Sequence, residues 1–293
     1  MQRITLIKQA WFITQHYKAL WGISLFGSVA FFVFEALYHP QPPFEESIDV
    51  IESLFVLYAA VPVVVLFLTT AFVSGALISL VNSIANHEAV TLGSGFHAGL
   101  RWMFPLTLIA IILMLPIWLM LYNPIGTLLT VFGNQFASPD SIQVTSLLNQ
   151  SRFIFSRYGL ILAVTLVMNA IGIGAERSVV LEGNPILIAF KRGTQLLIKR
   201  IGDFIVIGLA LLGIGLVISA LFLAITGPLA EFLASLLGKD VMPLYMTSPV
   251  GLLFTIANFL ICAVFTVFVS SIWTLAFREW QAQERSELPV AVE

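Results

Sequence analysis

Six apolar runs with almost no charge inside them decide the class of this chain: Leu20 to Tyr38, Leu54 to Val81, Phe104 to Tyr122, Tyr158 to Ala175, Phe204 to Thr226 and Val250 to Phe277. In water, a run such as Phe204 to Thr226 has nothing large enough to bury against. In a bilayer, ~20 apolar residues at a rise of ~1.5 Å cross the ~30 Å hydrocarbon core. Composition agrees, since the 293 residues are 59% hydrophobic and 10% charged with mean hydropathy +0.98, far below the charged share of about 25% in soluble domains. The expectation is an all-α integral membrane protein of six transmembrane helices, with residues 1–293 forming a single polytopic membrane domain.

The basic residues set an expected orientation. With the N-terminus in the cytoplasm, Arg3, Lys8, Lys18, Arg101, Arg177, Lys191, Arg192, Lys199, Arg200, Arg278 and Arg285 fall inside, eleven of the fourteen Lys and Arg. Only Arg152, Arg157 and Lys239 fall outside. Excess Lys and Arg in cytoplasmic connections is the normal bias of multi-pass proteins, so both termini are expected in the cytoplasm of a bacterial-type inner membrane. The connection from His39 to Asp49 fits an outer loop, with Glu45, Glu46 and Asp49 and no basic residue.

A weak internal repeat runs at an offset of ninety, aligning the stretch from Ala85 to Gly93 with that from Ala175 to Gly183. Each copy reads as the end of a span, a glycine turn, an amphipathic segment on the cytoplasmic surface and the next span. The N-terminal segment has the same character, with Ile4, Ile7 and Trp11 on an apolar face and Lys8, Gln15 and Lys18 opposite, as an interfacial helix requires. Three parallel units follow, each an interfacial helix plus a hairpin, at about residues 1–85, 86–175 and 176–280, with a cytoplasmic tail at 281–293. In the third unit, Asn184 is expected to cap a helix with Pro185 at its first position, and Ile186, Phe190 and Leu197 to oppose Lys191, Gln195 and Lys199. Two smaller expectations concern Pro105 and Pro116, which could start or kink the third span, and Leu229, Phe232, Leu233, Leu236 and Leu237, which read as an amphipathic run on the outer surface.

The stretch from Arg177 through Leu181-Glu182-Gly183-Asn184-Pro185 and Ala189-Phe190-Lys191-Arg192 to Leu197 resembles a pattern in bacterial six-span proteins similar to the membrane domain that accompanies some glycerophosphodiester phosphodiesterases. The resemblance implies a membrane fold. In that family the chemistry resides in a separate soluble domain, so no hydrolase activity is carried over to these 293 residues.

Chemistry-bearing motifs are scarce. His87-Glu88-Ala89-Val90-Thr91 begins like a zinc-protease helix, but Thr91 stands where the second histidine is required. Gly93-Ser94-Gly95 with His97 lacks both a nucleophile elbow and an acid to orient the histidine. No phosphate loop or dinucleotide fingerprint is found, Cys262 stands alone, and a net charge of −2 gives no general attraction to nucleic acid. No cofactor, metal site or catalytic residue is expected, and the chain is not expected to be an enzyme.

Two constellations are left. Lys191, Arg192, Lys199 and Arg200 form a basic group that sets topology or contacts anionic headgroups or a membrane partner, with Glu182 and Asp203 close enough to pair with it. Thr255, Asn258, Cys262, Thr266, Ser270 and Thr274 recur every three or four residues along the sixth run. They make either a packing seam or one wall of a polar pathway, with Asn169 as a natural partner for Asn258. Glu35 and Arg157, near span ends, either pair or reach the interface separately. The preferred expectation is a non-enzymatic membrane protein that interacts with lipid or scaffolds other membrane components. The alternative is a permease or lipid transporter using the stripe.

Overall fold

The computed structural model describes residues 3–37, 48–137, 144–237 and 249–287. They form α1 (Arg3–His16), α2 (Lys18–Leu37), α3 (Ile48–Ala85), α4 (Leu92–Ala137), α5 (Val144–Glu182), α6 (Ile186–Lys199), α7 (Ile201–Leu237) and α8 (Pro249–Glu287). No strand occurs among the described residues. Among the described residues, five stretches are long and apolar enough to cross a membrane: Val61–Ala85, Leu92–Met120, Gly159–Glu182, Ile201–Leu229 and Leu253–Ser286. The first expected span is the 20-residue helix α2. Glu45, Glu46 and Lys239 lie outside the described residues, as do the side chains of Glu35, Arg152 and Arg157.

Helix stops, rather than charges, decide where the spans end. α5 was expected to finish at Ala175, before Glu176 and Arg177, yet it runs to Glu182. Gly183 then takes φ +70 and donates its N–H to the Val179 carbonyl at 3.1 Å, a left-handed cap that glycine adopts without penalty. α3 stops at Ala85 with His87 at φ 61, where His87 donates to Ile84 O and Glu88 to Ser83 O. That is the paired bonding of a Schellman turn. The offset of ninety is therefore not kept, since Ala85 ends its helix and Ala175 is buried within one.

Three further expectations change. The second amphipathic segment is not separate, because α4 runs unbroken from Leu92 past Pro105 and Pro116. Its start is fixed by Thr91 and Ser94, each accepting the other's backbone N–H at 3.1 Å, the reciprocal bonding of a capping box. The run around Leu229 and Phe232 continues α7 through Pro228. Pro185, at ψ 155, is itself the cap residue of α6, and Asn184 turns back to donate to Ser178 and Glu182.

α8 holds the bundle together. Its Phe268, Ile272, Trp273, Ala276, Phe277 and Trp280 pack against Leu6 and Ala10 of α1, Leu196 of α6 and Phe204, Ile207 and Leu211 of α7. The Phe204 ring lies 5.1 Å from both Trp273 and Trp280. A second cluster joins Ile13, Leu20 and Ile23 to Leu77, Val81 and Ile84 of α3 and Val267 of α8. α1 is thus no simple surface helix. Ile7 packs on the first cluster and Leu6, Ala10 and Ile13 are buried, while Ile4 and Trp11 are exposed beside the polar Lys8, Gln15 and Lys18. Outward, α7 exposes Leu209, Leu212, Leu216, Val217 and Leu221, a face that only hydrocarbon solvates at no cost.

Close crossings depend on small residues. A Cβ at Gly75 would meet the Trp102 side chain at 2.8 Å, and Ala71, one turn earlier on α3, is buried. Where α6 crosses α5 the fit is tighter: a Cβ at Gly193 would lie 2.4 Å from Ile171 O and 2.9 Å from Ala175 N, and one at Gly174 2.8 Å from Gly193 Cα. Backbone cannot yield as a side-chain tip can. Gly193→Val should therefore displace α6 and destabilise the protein by about 1–3 kcal/mol, read as a lower melting temperature in detergent. Gly208→Ala, with open space at its Cβ, should leave that temperature unchanged or raise it.

Candidate functional site

The C-terminal ends of α3, α5 and α8 lie together with α6, forming a polar end of the bundle. Arg278 of α8 donates to the Asn82 carbonyl at 3.1 Å and its amide oxygen at 2.6 Å. Gln281 donates to Glu182 Oε1 at 2.7 Å, and the other carboxylate oxygen accepts from Ser178 and Asn184, both at 2.7 Å. Arg192 of α6 pairs with Glu182 at 3.5 Å and hydrogen-bonds Glu284, which Lys199 approaches at 3.5 Å. Partial burial pulls the Arg192 guanidinium down, but its bond to Glu284 and the charges of Glu182 and Glu284 outweigh this and hold its pKa above the ordinary value.

The basic group is therefore divided. Arg192 and Lys199 are engaged by the carboxylate of Glu284, which sequence reasoning missed, whereas Lys191 is exposed and Arg200 half-buried. Glu182 was anticipated as a partner. The nearest signal for Glu284 was its place beyond the sixth apolar run, on the polar extension of α8, and nothing local tied it to residue 192.

The polar stripe is also divided, because a row spaced every four residues winds about 40° around the helix per step. Asn258 and Cys262 are exposed and touch each other, Sγ to Oδ1 at 3.7 Å. Thr266, also exposed, and the half-buried Ser270 line a cavity, and Thr274 is fully buried with no hydrogen bond to its hydroxyl among the described residues. Asn169 lines the same cavity and makes no hydrogen bond to Asn258 among the described residues.

That cavity, of about 600 Å³, lies between α3, α4, α5 and α8. Thr70 and Ser74 of α3, Thr165 and Asn169 of α5, and Thr266 and Ser270 of α8 give it polar positions among Leu, Ile, Phe and Met side chains. Glu176 and Arg177 close one end. Arg177, counted above among the eleven basic residues expected on the cytoplasmic side, is 4% exposed within the bundle. Its Nη1 donates to Ile173 O at 3.0 Å and lies 3.8 Å from Glu176 Oε2, while Nε has no partner among the described residues. An unmatched buried N–H costs about 1–3 kcal/mol, and more on a charged group. A pocket of this size with few convergent polar groups suits binding; among the described residues no group of three His, Cys, Asp or Glu could hold a metal.

Because Arg192 and Glu284 are each about one-fifth exposed, their pairing is partly screened, and a double-mutant cycle with Arg192→Gln and Glu284→Gln should give a coupling of roughly 1 kcal/mol. Chemical denaturation in mixed micelles reads it, and a coupling near zero would reduce the contact to a surface pair. Comparison with protein-family models finds no match for this chain, and comparisons with curated proteins and with solved structures find none either.

Proposed function

We propose that this chain is a non-enzymatic, multi-pass inner-membrane protein that interacts with lipid by taking an amphiphile into the cavity between α3, α4, α5 and α8. The cavity supports this reading: about 600 Å³ of space, apolar walls and scattered polar groups suit a molecule that is itself part apolar and part polar. Such a protein is closer to the lipid-transporter alternative than to a scaffold. The split of the basic group favours the same choice, since Arg192 and Lys199 serve internal pairing and only part of that charge is left for headgroups or a partner.

Filling the cavity tests the proposal. Thr266→Phe and Ser270→Phe should each cut the lipid retained per protein by about tenfold, the factor for 1.4 kcal/mol of lost binding, with expression and melting temperature held. Asn258→Phe, on α8 but outside the cavity lining, should change nothing. Lipid retention unaffected by either filling variant would overturn the reading.

The proposed orientation has its own test. In a Cys262→Ala background, which removes the sole thiol, a cysteine introduced by Glu45→Cys should react with an impermeant maleimide in intact cells, and one introduced by Gln195→Cys only after lysis. Labelling at position 195 in intact cells would invert the topology.

A further inference from the structure

Glu176 and Arg177 hold unused bonding capacity of opposite sign at one place. A guanidinium carries five N–H donors. Arg177 spends one on Ile173 O, and its Nε, in a side chain only 5% exposed, has no partner among the described residues. Glu176 is 27% exposed, and its contact with Arg177 at 3.8 Å is too long for a hydrogen bond. Both residues line the cavity, so a ligand there meets an anion acceptor and a cation acceptor side by side.

The depth of the pair narrows the ligand. Arg177 precedes the end of α5 at Glu182 by five residues, about 8 Å along the helix, and the cavity continues along α5 to Thr165, a further ~18 Å. Leu66, Phe67, Leu113, Met114 and Ile117 line it together with the pair. Charge near the membrane surface, followed by a long and largely apolar cavity, matches a phospholipid lying in one leaflet.

Charge narrows it further. A purely anionic headgroup on Arg177 would be repelled by the adjacent carboxylate, and a purely cationic one on Glu176 by the guanidinium. A zwitterion satisfies both. Primary ammonium carries three N–H donors for Glu176, whereas a quaternary one carries none.

We infer that the Glu176 and Arg177 end of the cavity selects a zwitterionic phospholipid of ethanolamine type, its phosphate on Arg177 and its ammonium on Glu176. The inference rests on the proposed lipid-binding function and adds the headgroup. A free amino acid or phosphoethanolamine carries the same paired charges without the chains, so the test separates these sources.

The full-length protein, exchanged into nanodiscs of equal phosphatidylethanolamine, phosphatidylglycerol and phosphatidylcholine, is released for native mass spectrometry. Wild type should retain phosphatidylethanolamine by about tenfold over either other lipid, the factor expected for one charge-assisted hydrogen bond. Glu176→Gln should erase the preference over phosphatidylglycerol, and Arg177→Lys, which keeps the charge, should preserve it. Equal retention of the three headgroups by wild type would overturn the inference whether or not any variant folds, and so would a preference unmoved by Glu176→Gln. Free phosphoethanolamine and leucine should not raise the melting temperature; stabilisation by either without a lipid preference would assign the pair to a soluble zwitterion instead. Lipid retained without headgroup preference sinks this inference alone, while retention insensitive to Ser270→Phe sinks the lipid-binding function beneath it.

Discussion

Hydrogen bonds from α8 to the ends of two other helices govern the arrangement. Arg278 grips the last turn of α3 through Asn82, and Gln281 grips the last residue of α5 through Glu182. Between segments solvated by hydrocarbon there is little hydrophobic drive for one helix to prefer another, so packing and polar contacts determine which helices stay together. Joined at the polar end, α5 and α8 are separated farther along by the cavity. A clamp at one end and space beyond it are two aspects of the same geometry.

Glu182 concentrates that role. Its two oxygens take hydrogen bonds from Ser178, Asn184 and Gln281 and an ion pair from Arg192, so one carboxylate joins α5, the turn, α6 and α8. Removal of a single donor leaves the others in place. Removal of the carboxylate leaves four groups facing a partly desolvated gap, which is the more damaging change wherever water cannot easily replace the partner. The Leu181-Glu182-Gly183 turn is therefore a junction as well as a reversal of direction, with Gly183 providing the left-handed residue and Glu182 the fastening.

Much of the fold could be read in the residues. The apolar runs located the five helices that, among the described residues, are able to cross a membrane. What escaped has more than one physical origin. The fourth run ends at Ala175 because Glu176 and Arg177 follow, yet between Gly174 and Gly183 no helix-stopping residue intervenes, so α5 carries Glu176 and Arg177 on into the bundle. A rule based on breakers would have found the charged pair at the cavity's end. The stripe on α8 was legible as a periodicity but not as a site, because its winding assigns Asn258, Thr266 and Thr274 to three different surroundings. The pairing of Arg192 with Glu284, 92 residues apart, follows from tertiary packing that no local pattern carries.

α1 packs Leu6 and Ala10 into the cluster built by α7 and α8, and Ile13 into the one built by α2 and α3. On a ribosome it emerges long before α8, the helix it leans on. Contacts this distant in sequence form late and slowly. Ile13 can seat on α2 and α3 early, but until α7 and α8 are inserted the Leu6 and Ala10 part of α1 lacks its core and must be sheltered by headgroups or by the insertion machinery. Assembly thus closes back on itself, α8 completing the seat of α1, and a chain halted before α8 would leave the Leu6 and Ala10 end of α1 without its core.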